Sequence, residues 1–524
     1  MLYKTLGLID KRYYEDPNYR KAASGALDNL LRVCESKSLY EFLDGLANPM
    51  LRNHFVRKLT ALRRDVQRAD DFDHHDLRRL FNQVADVNRL SIDVPEGLLI
   101  VEFLEGIHIE LDDYTHVIWP ADMKDFRKLL MGDFEGIGIQ LGIDERSNRL
   151  KVVTPLESSP ALRAGIQPDD LIIAVDGEST KGWSTQDAVE NIMGPSGSKV
   201  KLSIQRPKTG QILEFTLTRS QIILTTVRGA KRIPGTSDSW DYMLDEDAGI
   251  AYIRLTDFHP DSAIEFSEAL SDARRQGMKA LVLDLRHNSG GVLDVAIDIA
   301  SNFLSRDEVV STRGRVERET QRARGNGVYT ELPLVVLVNS GSASASEILS
   351  GALQDHNRAI VLGGRTYGKG VVQHVLPLGQ DAQLKVTIAH YYLPSGRSPQ
   401  KMPDSDEWGV EPDFSLELTP KEFRRVLERE RDSYVIHNEQ KGDQRILSEE
   451  EQEELLSSIK GDLGEDEDDL LTEAQVEWLS SDPHEAPKAD PQLETALLLL
   501  RVKLAANAPW PRHFAAAKPP EKKR

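Results

Sequence analysis

Apolar residues recur at helical spacing near the start of the chain, at Ala26, Leu30 and Val33 and again at Leu59, Leu62 and Val66, so residues 1 to about 130 read as mostly helical. From Gly136 the period shortens. β-rich runs at 150–156, 171–175, 200–204 and 213–217 are bounded by Gly, Pro, Asp and Ser turns. One amphipathic helix, 184–193, interrupts them, with Ser184 as its N-cap and Ala188, Ile192 and Met193 on one side. A compact β-rich sandwich of roughly ninety residues is predicted there. Between about 248 and 416 the rhythm changes again. Strand-like runs at 250–255, 280–285 and 334–338 are each followed by a helical stretch, at 261–276, 293–304 and 345–354. Three strand, loop, helix units in succession predict an α/β core with a largely parallel sheet, whose ligand sites collect at the carboxyl ends of the strands. The last hundred residues open on a helical stretch at 421–432. They pass through the acidic runs SEEEQEELL and GEDEDDLL, read as a solvated helix face or linker, to a helix at 493–505 that docks back. The tail KPPEKKR reads as disordered.

Length and composition narrow the function classes. A chain of 524 residues exceeds one hydrophobic core and suggests about three domains. With 40% hydrophobic and 29% charged residues it has the mixture of a globular protein. The net charge of -20 argues against a nucleic-acid partner, which needs clustered Lys and Arg. The single cysteine, Cys34, excludes an intramolecular disulfide framework and reads as a buried, inert thiol. No CxxC or His/Cys ligand spacing occurs, so no metal and no cofactor is expected. No apolar run is long enough to span a bilayer. The opening MLYKTLGLIDKRYYEDP has too short an apolar stretch for a signal peptide, which leaves the cytoplasm open as a compartment.

The candidate chemistry lies in VVLVNSGSASASEILSGALQDHNRAIVLGGRTYGKGVVQ. A buried strand stops at Asn339, and a turn of small residues leads into a helix. A serine at such a corner has its hydroxyl at the strand's carboxyl end, near helix N-terminal amides that stabilise developing negative charge. Ser340, Ser342, Ser344 and Ser346 all compete for that role, because serine is equally favoured as a cap and turn former. The following strand ends in a Gly-rich turn with Lys369 between Gly368 and Gly370. Enclosure there lowers an amine pKa toward that of a general base. Gln373 is placed to share a face with Lys369 and orient its amine, whereas His374 points to the opposite face and His356 lies at the far end of the helix. A second Gly-rich corner, DLRHNSGGVLD, ends the preceding strand. Gly290 and Gly291 there can offer a backbone amide to a substrate carbonyl, or simply form a tight turn.

Together these segments resemble the carboxyl-terminal processing (tail-specific) proteases of peptidase family S41, over roughly residues 113–416. The resemblance runs from DDYTHVIWPADMKDFRKLLMGDFEGIGIQLG through LVLDLRHNSGG, SGSASASEI and TYGKGVVQ to YYLPSGRSPQ and GVEPD. It implies Ser344 as nucleophile, Lys369 as general base, Gln373 as supporting amide and the amides of Gly291 and Ala345 as oxyanion hole. It also implies an α/β catalytic core of the ClpP/crotonase-like kind, an inserted β-rich PDZ domain, and helical N- and C-terminal regions. The expected boundaries are 1–133, 134–222, 223–420 and 421–524. In the PDZ segment, Gly136, Ile137, Gly138 and Ile139 form a loop before a strand whose amides would bind a peptide carboxylate while the strand edge pairs with the peptide.

The partners implied are proteins or peptides with free C-termini, with homo-oligomer or adaptor contacts assigned to the helical terminal regions. The compartment implied is the periplasm or cell envelope. Two departures stand out: Gln167 occupies a place where some relatives carry an arginine linking peptide binding to catalysis, and residues 48–106 match nothing in the family. The rival functions are a noncatalytic PDZ adaptor and a crotonase-like acyl-CoA enzyme. The second explains neither the PDZ segment nor the Ser/Lys pair.

Overall fold

The helix Pro49–Arg68 begins where the Asn48 side chain accepts from the amides of Met50 and Leu51, with Pro49 at the first helical position. The helix His74–Arg89 begins on a capping box in which Asp73 and Asp76 satisfy each other's amides. These two helices and Glu96–His108 account for most of residues 48–106. The computed structural model describes residues 1–144, 147–207, 209–233, 239–325, 327–379, 381–434, 445–448, 450–452, 455 and 490–506. Most of the acidic runs, and the tail KPPEKKR, lie outside the described residues.

The chain forms two compact units. One comprises Met1–Phe126, Glu308–Arg322 and Gly368–Gly409; the other comprises Arg127–Asp307, Ala323–Tyr367 and Val410–Arg524. In the first, the N-terminal helices pack on an antiparallel sheet ordered His116–Ile118, Ala382–Tyr392, Glu308–Arg313, Arg318–Arg322, with Val371–Gly379 also paired to Ala382–Tyr392. Its core joins Leu27, Phe55, Leu77 and Phe103 of the helices to Leu384 and Val386 of the sheet. Cys34 is buried in that core, and burial pushes its thiol up to about 11, as expected of an inert cysteine. The mainly helical expectation for residues 1–130 thus needs one amendment, the strand His116–Ile118, whose partners lie more than 260 residues away.

The second unit holds two sheets that position the chemistry. The first is β-rich and ordered Arg445–Ile446, Ile212–Thr218, Lys199–Gln205, Leu171–Val175, Arg149–Pro155, Ile139–Asp144, around a core of Leu150, Ile172, Leu202 and Phe215. Ser184 caps the helix Thr185–Ile192, and Asp187 returns the capping bond. The second is the parallel sheet: Ile250–Leu255, Ala280–Asp284, Leu334–Val338, Ile360–Gly363 and Phe414–Ser415 run side by side in one direction. The intervening helices are Ser262–Arg275, Leu293–Ala300 and Ala345–Asp355. The second of these ends four residues before its expected limit, at Ala300, where the chain enters turns and Ser301 donates to the Ile297 carbonyl. Tyr252, Val282, Val335, Leu337 and Leu362 belong to one cluster with Leu493, Ala496 and Leu500, so the helix Pro491–Ala506 covers one face of this sheet. No helix among the described residues is long and apolar enough to cross a membrane.

Candidate active site

The strand Leu334–Val338 is wholly buried, and the chain turns at its end because Asn339 organises the exit: its amide donates to Ser342 Oγ and its Oδ1 accepts from the amides of Gly341 and His287. Ser344 sits just before the helix Ala345–Asp355 with φ +56° and ψ -113°, a conformation that L-residues avoid and that costs on the order of 1–3 kcal/mol. The surroundings over-determine it. The fully buried Glu347 carboxylate accepts from the Ser344 amide at 2.8 Å and from Thr366 Oγ1 at 2.6 Å, and the Ala343 amide donates to the Asn288 carbonyl at 3.0 Å. Thr366 is itself tied to Val410 by two hydrogen bonds.

This geometry separates the four serines. Ser342 and Ser346 are fully buried, and their hydroxyls donate to the carbonyls of Leu285 (2.8 Å) and Asn288 (2.9 Å). Ser340 is exposed on the turn. Ser344 alone combines partial exposure with the strained backbone of a strand-to-helix elbow, the conformation that thrusts a hydroxyl out of a turn.

The second Gly-rich corner packs directly against this elbow. A Cβ on Gly290 would lie 2.6 Å from the Ala343 carbonyl oxygen, 2.8 Å from Ser344 Cβ and 2.9 Å from the Ala345 amide nitrogen, and the residue's φ is +99°; only glycine fits. Asn288 links the two corners, since its carbonyl receives the Ala343 amide and Ser346 Oγ while its Oδ1 receives the Gly290 amide. Gly291 is exposed. The neighbouring amide and carbonyl of Val292 and Gly290 pair with Phe258, while among the described residues no carbonyl accepts from the Gly291 or Ala345 amide. Gly290, Gly291, Ser344 and Ala345 are therefore brought together, and the Gly291 and Ala345 amides have no backbone acceptor among the described residues.

Gly136–Ile139 also lies in this second unit. The Ile137 and Gly138 carbonyls are occupied by the amides of Ala161 and Leu156, and no carbonyl among the described residues accepts from the Ile137 or Gly138 amide. Gly138 has φ +72°, and a Cβ there would meet Ser159 at 2.3 Å, so the loop needs glycine to turn into the strand Ile139–Asp144. That strand is the edge of its sheet. Gln167 does structural work instead: its amide donates to Asp170 Oδ2 at 2.8 Å, and Asp170 is in turn the buried partner of Arg206.

Lys369 and Gln373 belong to the first unit. The backbone around Lys369 is pinned on both sides: Gly368 accepts from Lys401, the Lys369 carbonyl from the Tyr391 hydroxyl, and the Gly370 amide donates to Gln400 Oε1. The half-buried side chain carries its ammonium 5.3 Å from the centroid of the Tyr114 ring. Tyr114 is held by a turn in which Asp112 accepts from the Tyr114 and Thr115 amides at 2.6 and 2.7 Å, and Thr387 Oγ1 fastens the same carboxylate to the strand Ala382–Tyr392. Gln373 opposes Thr387 immediately after a bulge at Val372, and its Nε2 is buried with no hydrogen-bond partner among the described residues. Burial and then the charge of Lys369 push the Lys385 amine below the ordinary lysine range.

Sequence reasoning passed over Glu347, Asn288 and Tyr114. A signal for Glu347 was available: Ser344-Ala345-Ser346-Glu347 has the spacing of a capping box. Asn288 and Tyr114 act through tertiary contacts that have no local pattern. No group of three or more His, Cys, Asp or Glu among the described residues is arranged to hold a metal ion.

Comparison with known proteins agrees with these two regions. A family model described as peptidase family S41 matches residues 249–416, and a PDZ domain model matches residues 151–206. The chain is 35% identical over 333 residues to a carboxy-terminal-processing protease of Bartonella bacilliformis, covering 62% of this chain and 71% of the relative. It is 36% identical over 317 residues to a carboxyl-terminal-processing protease of Synechocystis sp., covering 60% and 70%. Among solved structures, a photosystem II D1 C-terminal processing protease is similar at 25% identity and a TM-score of 0.39, over 79% of this chain and 92% of that one.

Proposed function

Because the chain belongs to the carboxyl-terminal-processing proteases of peptidase family S41, we propose that it is a serine endopeptidase in which Ser344 is the nucleophile and Lys369 the general base. The observation that carries this reading is the strained backbone of Ser344 at an elbow packed against Gly290, with the amides of Gly291 and Ala345 lacking a backbone acceptor among the described residues.

In the proposed reaction a neutral Lys369 takes the hydroxyl proton as Ser344 Oγ attacks a peptide carbonyl. The resulting oxyanion is received by the amides of Gly291 and Ala345, and Gln373 supports the lysine amine. Collapse breaks the C–N bond as the Lys369 ammonium returns its proton to the leaving amine, and the acyl-enzyme is then hydrolysed by a water that Lys369 deprotonates, which frees Ser344. The domain containing this chemistry is assigned to 223–420, with a ClpP/crotonase-like core.

The PDZ domain, assigned to 134–222, supplies the address. The loop Gly136, Ile137, Gly138, Ile139 takes the free C-terminal carboxylate, and the edge strand Ile139–Asp144 adds the tail as a further strand. The substrate class is then an unstructured protein tail with a free, apolar C-terminus.

The test is to incubate the wild type and Ser344→Ala with such a tail and with a fluorophosphonate, then sequence the new termini and locate the labelled residue. Cleavage and labelling of Ser344 are expected in the wild type, with neither in the variant. Peptide binding without turnover or labelling in the wild type would instead leave a noncatalytic PDZ adaptor.

A further inference from the structure

Arg286 lies five residues before Gly291 and is 1% exposed. A guanidinium so deeply buried needs its full complement of partners, and here they come from two ends of the sequence. Asp284, the last residue of the strand that Arg286 follows, accepts from Nε and from Nη2, at 2.6 Å for the latter. The rest come from the C-terminal part of the chain: Asp490 accepts from Nη1 at 3.2 Å and Nη2 at 3.0 Å, Gln492 Oε1 accepts from Nη1 at 3.0 Å, and Glu430 stands 3.7 Å away. Asp490 also caps the helix Pro491–Ala506, accepting the Leu493 amide at 3.1 Å, and Gln492 Nε2 donates to the Leu416 carbonyl. Removing one member of such a set leaves a buried charge uncompensated.

The chain that leaves Arg286 is fixed residue by residue up to the candidate oxyanion hole. The Arg286 amide donates to Asp284 Oδ1, and the His287 amide to Asn339 Oδ1. Asn288 receives the Ala343 amide and Ser346 Oγ, and the Gly290 amide returns to Asn288 Oδ1. We infer that Asp490 and Gln492 are positioning residues for catalysis, holding Arg286 so that the corner from 286 to 291 presents the Gly291 amide beside Ser344. The start of the C-terminal helix, at Asp490 and Gln492, is thereby part of the active-site framework, although it lies more than 70 residues beyond the segment matched by the peptidase model. The inference rests on the oxyanion role assigned to Gly291 above.

The informative variant is Asp490→Asn, because asparagine caps a helix as well as aspartate does and so removes the charge facing Arg286 while keeping the cap. Its kcat on a peptide substrate is expected to fall roughly tenfold to a hundredfold, as small misplacements of catalytic groups do, with KM changed by less than about twofold. Amide hydrogen exchange across 286–291 is expected to accelerate. Leu500→Ala, which trims the apolar packing of a later turn of that helix and leaves Asp490, Gln492 and Arg286 in place, is expected to keep the wild-type kcat and the wild-type exchange across 286–291 at a temperature where it is folded. Wild-type kcat in Asp490→Asn, unchanged exchange at the corner, or an equal loss of kcat in Leu500→Ala would each overturn the inference. Fluorophosphonate labelling of the wild type separates this from the parent reading: if Ser344 is not labelled, the serine assignment fails, and hydrogen exchange still decides whether Asp490 holds the corner.

Discussion

Ser344 is held by its backbone, whereas Lys369 is held by the surroundings of a long side chain. At the serine, φ +56° is enforced by Glu347, Asn288 and the close approach of Gly290, so the hydroxyl's origin is fixed before any ligand arrives. At the lysine the backbone is pinned by Lys401, Tyr391 and Gln400, and a long side chain separates it from the amine. The amine stands 5.3 Å from the centroid of the Tyr114 ring, and burial together with the Lys369 charge holds the neighbouring Lys385 amine below the ordinary lysine range. One region specifies position through strain, and the other sets a lysine beside an aromatic ring and a second amine. Lesions in the two should therefore fail differently.

The largest effect is expected from Lys369→Arg. Arginine keeps a cation near Tyr114 but does not give up its proton, so kcat should drop by about a thousandfold while binding of a C-terminal peptide to the PDZ domain persists. Steady-state kinetics beside a peptide-binding titration checks this, and a loss under tenfold would mean that Lys369 positions rather than accepts a proton. Next comes Gly290→Ala, which places a Cβ under 3 Å from the Ala343 carbonyl, Ser344 Cβ and the Ala345 amide. About a hundredfold loss of kcat is expected, with a lowered thermal midpoint, from displaced rather than mis-protonated groups. Its pH–rate profile should keep the wild-type shape, and a moved limb would erase the distinction between the two regions.

The smallest effect sets the acid limit within which the lysine region can be compared. His108 is buried in the first unit with neither ring nitrogen partnered among the described residues, and burial, aided by His116, lowers its pKa from 6.5 to about 3. The unfolded chain takes up a proton near 6.5 that the folded one refuses. The associated stability is therefore present above that pH and is lost as pH falls toward 3, by up to about 1.4 kcal/mol per pH unit. In His108→Phe, pulse proteolysis in urea at about pH 5 and pH 7 should show a smaller difference between midpoints for the Glu96–His108 segment than in the wild type. An unchanged difference would place the acid sensitivity elsewhere.

Much of the second unit was legible in the sequence because its order is local. The strands Ile250–Leu255, Ala280–Asp284 and Leu334–Val338 are short apolar runs each followed by a helix, and the glycines of DLRHNSGG announce a corner. The choice among four serines was not legible without the family resemblance. Burial of the Ser342 and Ser346 hydroxyls and the backbone of Ser344 come from carbonyls at Leu285 and Asn288, more than 50 residues away. Two pairings of the first unit's antiparallel sheet are local hairpins, Glu308–Arg313 with Arg318–Arg322 and Val371–Gly379 with Ala382–Tyr392, but its assembly was missed for the same reason: His116 meets Lys385, and Ser311 meets Tyr392, with no turn joining them. Pairing across such separations leaves no periodicity to read.

The helix Pro491–Ala506 also carries a consequence for the order of synthesis. Until Leu493, Ala496 and Leu500 have been made, Tyr252, Val282, Val335 and Leu337 lack their cover, and Arg286 Nη1 lacks its acceptors Asp490 and Gln492. A nascent chain truncated anywhere before that helix holds every residue proposed for bond cleavage, yet lacks the last part of the framework around them. The framework around Arg286 is therefore completed only when residues 490–506 have been added, after every residue proposed for bond cleavage.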